Sequence, residues 1–383
     1  MSSPRYFDHN ATTPLHPGVR AAMLPWLGER WGNPSSAHSF GRPARVAVEA
    51  ARQQVASLLG ARPEEVVFTA SGTEANNAVL FDCAHRAGMR GHLVLSTFEH
   101  ASVAAAATRL EGLGMRVTRV PPGPDGVVPA AAMLAALEAD TRLLCLMLAN
   151  NELGTLQPVA EVAAECRRRG VPVLCDAVQA VGKVPVDVTT LGADYLVLGA
   201  HKFYGPLGAA AVWRREGREL IPFLLGAGQE GGQRASTENV AAIVGLGQAA
   251  ALAEEELPER GRHLAALRDA FEAGLPELAP AVVHGAGAPR LPNTSNVAFP
   301  GATGFDVMQR LDQAGFAVST GAACHSGVPQ PSATVLALGV PREQALGALR
   351  ISFGRTNTAA EVNALLRQLA VLLPELRRSG GAG

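Results

Sequence analysis

The sequence predicts an α/β protein with a mainly parallel sheet wrapped by helices, and two observations support this. Short apolar segments alternate along the chain with longer segments of helical spacing, which is typical of strands joined by crossover helices. Seven apolar segments are predicted as strands: 65–69, 92–97, 115–120, 142–148, 171–175, 194–198 and 208–213. The chain has 383 residues, of which 48% are hydrophobic, so it can bury a large core and form about two or three domains.

The remaining elements follow in chain order. Two segments are predicted as helices: Arg45–Leu59, before the first strand, and Val159–Arg169, between two strands. After the last strand of the sheet, Leu252–Glu272 is rich in Glu, Arg, Leu and Ala, and it predicts a helix in which Pro258 is a break or a start. We expect this helix to carry the chain into a smaller domain, where 350–353 forms a strand and 359–372 a closing amphipathic helix.

Charge and cysteine content argue against several classes of protein. The net charge is −1, so we expect no basic face for nucleic acid and no polybasic membrane anchor. The N-terminal segment MSSPRYFDHN lacks the apolar region of a secretion signal, and no apolar run has the length of a membrane span. The five cysteines have no paired spacing, which fits a reducing compartment. We therefore expect a cytoplasmic protein that binds neither nucleic acid nor membrane.

A lysine follows one of the most apolar strands. Ala193–Pro206 predicts a buried strand that breaks into a Gly/Pro loop, with Lys202 at the break. Burial lowers the pKa of a lysine and frees its amine as a nucleophile, as a Schiff base with an aldehyde cofactor requires. A lysine at a strand end is by itself more often solvated, so this interpretation depends on the other strand ends.

Three other strand ends carry polar side chains. Asp176 can pair with the ring nitrogen of pyridoxal phosphate, or it can cap the next turn. Gly72 and Thr73 open a helix whose free N–H groups suit a phosphate, although Ser71 or Thr73 capping an ordinary helix explains the same pattern. His100 can stack on a ring and move a proton, or it can be structural. Together these residues indicate a single cofactor, pyridoxal 5'-phosphate, with its aldehyde at Lys202.

At this point the chain resembles a known family, the class V aminotransferase-fold enzymes, and within it the cysteine desulfurase and selenocysteine lyase group. The resemblance runs from about Tyr6 to about Leu373. Its motifs occur in the expected order: Asn10–Pro14, Gly32–Ser36, Asn150–Glu152, Ala200–Lys202, Arg234–Asn239, Gly321–Cys324 and Gly354–Arg355. The resemblance implies the type I fold of pyridoxal-phosphate-dependent transferases. It also implies a large cofactor-binding domain over 15–255 and a small α+β domain formed by 1–14 and 256–383.

The resemblance further implies a mechanism. Lys202 binds the cofactor and removes the α-proton of the amino acid, while Asp176 keeps the cofactor ring protonated. Cys324 lies among glycines, prolines and small residues that predict a mobile surface loop. It attacks the sulfur of L-cysteine, becomes a persulfide and leaves L-alanine. With L-selenocysteine, Cys324 acts as an acid rather than as a nucleophile. His100 is the preferred base for the thiol, and His325 is the alternative.

Further roles are carried over position by position. Asn151 and Gln179 are expected near the phenolic oxygen of the cofactor, and His201 at the phosphate. Thr237 is expected to reach the phosphate of the neighbouring subunit, which makes the enzyme a homodimer. The substrate-binding residues implied are Asn10, Asn151 and Arg355. The guanidinium of Arg355 is expected to bind the substrate carboxylate, whereas Arg350 is interpreted as structural.

Two positions depart from the pattern of the family. Gly199 stands where many members have a serine that donates to the phosphate, and the loss of such a bond costs roughly 1.5–3 kcal/mol if nothing replaces it. Ser236 stands where glycine is usual, and it either restores a donor across the dimer interface or is merely tolerated.

The function predicted is a lyase that removes sulfur or selenium from L-cysteine or L-selenocysteine. The alternatives are a dedicated selenocysteine lyase, another aminotransferase or β-lyase of the same fold, and a sulfur-carrier or scaffold protein with a vestigial site. A sulfur-acceptor protein is expected to dock at the Cys324 loop. The destination of the sulfur or selenium is left open among iron–sulfur assembly, thio-modified nucleosides, a natural-product pathway and selenium recycling.

Overall fold

The computed structural model describes residues 4–278, 280–320 and 330–380. Cys324, the predicted nucleophile, and His325, its alternative base, therefore lie outside the described residues. The strands within these ranges are β1 Arg5–Tyr6, β2 Val66–Thr69, β3 His92–Ser96, β4 Arg116–Val120, β5 Thr141–Cys145, β6 Val173–Asp176, β7 Tyr195–Gly199, β8 Ala210–Arg214, β9 Val282–Val283, β10 Thr294–Ala298, β11 Phe316–Ala317 and β12 Ala348–Ser352. The α-helices are α1 Pro17–Met23, α2 Gly41–Leu59, α3 Gly72–Arg86, α4 Ala101–Glu111, α5 Ala130–Ala135, α6 Val159–Arg168, α7 Val188–Leu191, α8 Val240–Gly274, α9 Gly304–Gln313, α10 Ala333–Leu336, α11 Arg342–Leu346 and α12 Ala359–Gly380.

The main sheet has seven strands in the order β2-β8-β7-β6-β5-β3-β4. All seven correspond to predicted strands. Strands β3 to β7 run parallel to one another, whereas β8 is antiparallel to both β2 and β7. The prediction of an α/β fold with a mainly parallel, mixed sheet is confirmed.

Helices cover both faces of this sheet, because alternate residues of each strand point to opposite sides. On β7, Leu196 and Leu198 pack in one apolar cluster with residues of α2 and α8. Tyr195 and Val197 pack in another cluster with residues of α3 and α4. Because both faces are buried, the carboxyl ends of the strands are where polar side chains find room, and this edge carries the site.

A second core lies beyond the main sheet. It contains Phe7, the three-stranded antiparallel sheet β12-β10-β9 and helices α9 and α12. Strand β1 pairs in parallel with β11, so the first described residues join the C-terminal part of the chain. The predicted boundaries of 15–255 for the large domain, with 1–14 and 256–383 for the small one, stay a prediction.

One continuous helix, α8, links the two cores. Ala249 and Ala253 pack in the first core, whereas Leu264 and Phe271 pack in the second. The prediction that Pro258 breaks or starts a helix is wrong, because α8 passes through it. Pro258 is exposed and removes one backbone hydrogen bond, while the packing of α8 on both sides of it maintains the helix. No helix of the described ranges combines the length and the apolar character needed to cross a membrane.

Candidate active site

A cavity of about 340 Å³ opens at the carboxyl ends of β3, β6 and β7. Most of the residues predicted for the site line it: Asn10, Gly72, Thr73, His100, Asn151, Asp176, Gln179, His201 and Lys202. Further lining residues were not predicted, among them Asn76, Ser102, Met147 and Arg350. The described lining does not include Thr237 or Arg355. Strand ends far apart in the sequence thus converge on one space, as the parallel sheet requires.

Lys202 follows β7 on a single 3₁₀ turn, Ala200–Lys202. Its Nζ donates to the carbonyl oxygens of Asn10 at 2.7 Å and Ala11 at 2.8 Å. Burial, followed by the positive charge of Arg350, lowers the pKa of Lys202 to about 8, although Asp8 and Asp176 act in the opposite direction. A large share of Lys202 is therefore a free amine at slightly alkaline pH, which is the form that attacks an aldehyde.

Asp176 ends β6 and is buried. Its Oδ1 accepts from the Val178 amide at 3.0 Å, which is the capping contact of the alternative interpretation. Its Oδ2 accepts from Asn76 Nδ2 at 2.8 Å, and Asn76 also donates to Ser102 Oγ at 2.9 Å. A side chain on α3 therefore fixes the orientation of the carboxylate at the floor of the cavity.

The helix α3 begins at the cavity. Ser71 is its N-cap, and Ser71 Oγ accepts from the Glu74 amide at 3.1 Å. The amides of Gly72 and Thr73 belong to the first turn, where N–H groups have no intrahelical partner. Capping by Ser71, the simple explanation of the motif, is thus compatible with a phosphate site, because it leaves two amides directed beyond the helix end.

His201 adds a neutral donor or acceptor near this end of the cavity. Its Nδ1 lies 3.2 Å from Thr12 Oγ1. Burial, followed by the charges of Lys202 and Lys183, lowers the pKa of His201 to about 4, so the ring is neutral at physiological pH. His201 can therefore contact an anion by a hydrogen bond and not by charge.

His100 caps the start of α4. Its Nδ1 accepts from the Ser102 amide at 3.1 Å and lies 2.8 Å from Ser102 Oγ. Since Nδ1 is an acceptor, the neutral ring carries its proton on Nε2.

The two candidate arginines, Arg350 and Arg355, lie in different places. Arg350, on β12, is buried and lines the cavity. Its Nη2 pairs with Asp8 Oδ1 at 2.7 Å, and its Nη1 donates to the Asn151 carbonyl oxygen at 3.1 Å. Its Nε is buried and has no hydrogen-bond partner among the described residues.

Arg355 lies outside the described cavity lining, and its amide donates to Tyr204 Oη at 2.8 Å. The chain leaves β12 after Ser352, and Gly354 packs so closely on the ring of His9 that an added Cβ would lie 2.0 Å from it. This turn carries Arg355 away from the cavity. The placement of Arg355 at the substrate carboxylate, with Arg350 as structural, is therefore corrected.

Asn10 connects the loop after β1 to residues from three other parts of the chain. Its Nδ2 donates to Thr294 Oγ1 at 2.9 Å and to the Asn151 carbonyl oxygen at 3.2 Å. Its Oδ1 accepts from Lys183 Nζ at 2.9 Å. Lys183 was missed at the level of the sequence, although one signal was available there. The chain contains only two lysines, Lys183 and Lys202, and uses arginine at every other basic position.

The four described cysteines are poor nucleophiles. Burial raises the pKa of Cys83 to about 12 and that of Cys166 to about 11. Burial also raises the pKa of Cys145 and Cys175 well above the usual value. A thiolate is the reactive form, so none of these four is suited to attack a substrate near neutral pH.

The two departures from the family pattern have different structural settings. A Cβ added at Gly199 would meet no atom closer than Val178 Cγ1 at 3.7 Å, so packing does not exclude a serine there. Ser236 has a φ of 97°, in the left-handed region that favours glycine. The adjacent Thr237 is exposed, and its predicted contact with a neighbouring subunit stays a prediction.

Known proteins are similar to this chain in both sequence and fold. The family model described as Aminotransferase class-V matches residues 5–365. The chain is 45% identical to a cysteine desulfurase of Cereibacter sphaeroides, over 97% of this chain and 96% of that one. It is similar to a solved NifS-like protein, with a TM-score of 0.91 at 36% identity over 97% of this chain and 99% of that one. It is also similar to the complex of SspA with cysteine, with a TM-score of 0.82 at 33% identity over 91% and 98% of the two chains.

Proposed function

The chain belongs to the class-V aminotransferase family, and on that premise we propose that it is a pyridoxal-phosphate-dependent cysteine desulfurase. It converts L-cysteine to L-alanine and carries the sulfur as a persulfide on Cys324. The observation that supports this most is the single cavity into which Lys202, Asp176, the start of α3 and Arg350 converge. The predicted type I fold of pyridoxal-phosphate enzymes is the fold of these relatives.

The residues of the cavity fit pyridoxal phosphate. The bound cofactor supplies an aldehyde that takes up an amino group and a protonated ring that accepts electrons. Lys202 provides the amine for the aldehyde, and the fixed carboxylate of Asp176 provides the partner for the ring nitrogen. The amides of Gly72 and Thr73, with neutral His201, provide donors for the phosphate.

Arg350 is the proposed group for the substrate carboxylate. It is a buried guanidinium that lines the cavity, and its hydrogen bonds to described residues use only two of its five N–H groups. Its contacts with Asp8 and the Asn151 carbonyl oxygen fix its plane before substrate arrives, which reduces the entropy lost on binding. Lys202 is also the proposed general base for the α-proton of the substrate.

Cys324 is proposed as the nucleophile that receives the sulfur. Its thiolate attacks the substrate sulfur, and the new S–S bond forms as the C–S bond breaks. The electron pair of the C–S bond stays with the β-carbon, which takes a proton and becomes the methyl group of alanine. His100 is the proposed base for the thiol; its accepting nitrogen, Nδ1, is held by the Ser102 amide, so this role requires that hydrogen bond to open as the proton is taken up.

A homodimer is proposed from the exposed apolar side chains of the N-terminal third of the chain. Leu27 and Trp31 are both 67% exposed, and Trp31 stacks on the half-exposed Phe40 with ring centroids 5.1 Å apart. Apolar groups of this size in one region of the surface indicate an interface. Thr237 is proposed to reach the phosphate in the neighbouring subunit.

The test is alanine release from L-cysteine and from L-selenocysteine, measured separately for the wild type and for Cys324→Ala. We expect the wild type to act on both substrates. We expect Cys324→Ala to keep the cofactor bound but to lose the cysteine reaction and the persulfide. The control is Cys83→Ala, which removes a thiol of high pKa outside the cavity and should retain both activities. Activity confined to L-selenocysteine would identify a selenocysteine lyase instead. Alanine release from cysteine at the wild-type rate by Cys324→Ala, without added thiol, would reject Cys324 as the nucleophile.

A further inference from the structure

The second lysine of the chain lies directly behind the cavity. Lys183 is 6% exposed, and its Nζ donates to Asn10 Oδ1 at 2.9 Å and to Gln179 Oε1 at 2.8 Å. Both acceptors are neutral amide oxygens, and both residues line the cavity. Among the residues that the structure describes, no carboxylate pairs with this nitrogen. A buried amine with only amide partners is costly, so its presence requires an explanation.

Lys183 determines which way the Gln179 amide faces. The two ends of a glutamine amide have nearly the same shape, so their orientation is set by the hydrogen bonds they make. Because Lys183 donates, the Oε1 end faces it, and the Nε2 end faces the other way. There Nε2 donates to the Asn10 carbonyl oxygen at 3.0 Å. Nε2 has two N–H groups, and this bond uses one of them.

The same carbonyl oxygen of Asn10 also accepts from Lys202 at 2.7 Å. The two lysines are therefore joined through one residue, Lys183 to its side chain and Lys202 to its main chain. Deep burial, followed by the charges of Lys202 and Arg350, lowers the pKa of Lys183 well below its usual value. A compact amine that can release a proton suits this position better than an arginine, which stays charged at any physiological pH.

We propose that Lys183 is a positioning residue for the cofactor. It fixes the Gln179 amide so that its donor end is presented to the cavity, where an anionic oxygen of the cofactor can accept a hydrogen bond. This inference rests on the pyridoxal phosphate function proposed above. It concerns residues of the described chain only and is independent of Cys324.

The alternative is a purely structural role, in which Lys183 ties the loop after β1 to the turn after β6. In that case the loss of the Lys183 side chain destabilises the protein with or without cofactor. The size of this effect does not then depend on the Gln179 side chain. The proposed role instead requires that Lys183 act through Gln179. A double-mutant cycle separates these two cases.

The experiment measures the dissociation constant of pyridoxal phosphate for the dimeric apoprotein, by the visible absorbance of the bound cofactor. The variants are Lys183→Met, Gln179→Met and the double variant, each also followed by thermal unfolding of the apoprotein. We expect Lys183→Met and Gln179→Met each to weaken cofactor binding about ten- to a hundredfold, the effect of losing a hydrogen bond to a charged group. The double variant should bind no more weakly than the weaker single variant.

The proposal would be overturned if the two substitutions weakened cofactor binding independently, so that their effects on the dissociation constant multiplied in the double variant. Unchanged cofactor binding in Lys183→Met would also overturn it. A lower unfolding temperature of Lys183→Met apoprotein with unchanged cofactor affinity would assign the structural role instead. A wild-type protein that binds no pyridoxal phosphate would reject the proposed function itself, which is a different result from any of these.

Discussion

The cavity has two walls, and they are built in different ways. On the sheet wall, His100, Asp176 and Lys202 each lie at the carboxyl end of a parallel strand of the main sheet, so one structural rule places all of them. On the opposite wall, Asn10 and Arg350 come from the two ends of the chain. They are held by contacts with residues remote in sequence: Asn10 with Thr294, and Arg350 with Asp8.

The comparison of the two walls shows which kind of site residue a sequence pattern can identify. A strand end is marked locally, by an apolar run followed by a turn, and parallel strands bring their carboxyl ends to one edge. The position of Arg350 depends on the pairing of β12 with β10, a strand remote in the chain, and no residue near Arg350 marks that pairing. The opposite wall is therefore the part of the site where sequence analysis fails first.

The largest expected effect tests the opposite wall directly. Arg350→Ala should raise the KM for L-cysteine by about ten- to a hundredfold, because a buried charge-assisted hydrogen bond to the carboxylate is lost. Arg355→Ala is the matched control, and its KM should stay within about threefold of the wild type. Steady-state alanine formation measures both. The reverse ranking of the two variants would return the carboxylate site to Arg355.

Because Arg350 also pairs with Asp8, the Arg350→Ala protein should be checked for folding by circular dichroism and for cofactor binding by absorbance. Asp8→Asn removes the partner charge while it keeps Arg350 in the chain. This variant should lose much less affinity for substrate than Arg350→Ala. Equal losses would mean that Arg350 acts mainly through Asp8.

The next largest effect concerns the reactivity of the Lys202 amine, at which the two walls meet. Its pKa is lowered to about 8, mainly by burial and then by the charge of Arg350. The neutral amine is the reactive form, so the rate at which apoprotein takes up pyridoxal phosphate should rise about tenfold per pH unit below 8 and level off above it. Stopped-flow absorbance measures this rate.

In Arg350→Ala the midpoint of that pH profile should move upward, because removal of a positive charge favours the protonated amine. The control is Arg355→Ala, which should leave the midpoint unchanged. A rate of uptake that is flat between pH 6 and 9 would contradict the assignment of the profile to Lys202.

The smallest effect concerns the exposed segment before α8, which belongs to neither wall. Ser236→Gly should stabilise the protein by about 1 kcal/mol, because glycine adopts a positive φ without steric cost. Ser236→Ala keeps the strain and should show no gain. Urea unfolding measures both. If both variants also bind pyridoxal phosphate more weakly, the Ser236 hydroxyl is a phosphate donor and not merely tolerated.

Much of the fold was predictable from the sequence, because strands buried on both faces are continuous apolar runs. All seven strands of the main sheet were predicted, although the edge strand β4 is partly exposed and is not a run of this kind. The path of α8 through Pro258 was not, because the packing of one helix against two cores outweighs a local signal for a break. The count of two lysines was a usable signal for Lys183, but it gains meaning only when both are found in one site.

The sequence by itself determined the α/β class, the sheet wall and the identity of the cofactor, since each strand end is marked by its own neighbouring residues and parallel strands end at one edge of the sheet. The tertiary structure alone decided that Arg350 and not Arg355 lines the cavity, and that Lys183 lies behind Gln179. The physical reason is the same in both cases. Burial and hydrogen bonding join side chains that lie far apart in the chain, and no local pattern records which of them meet.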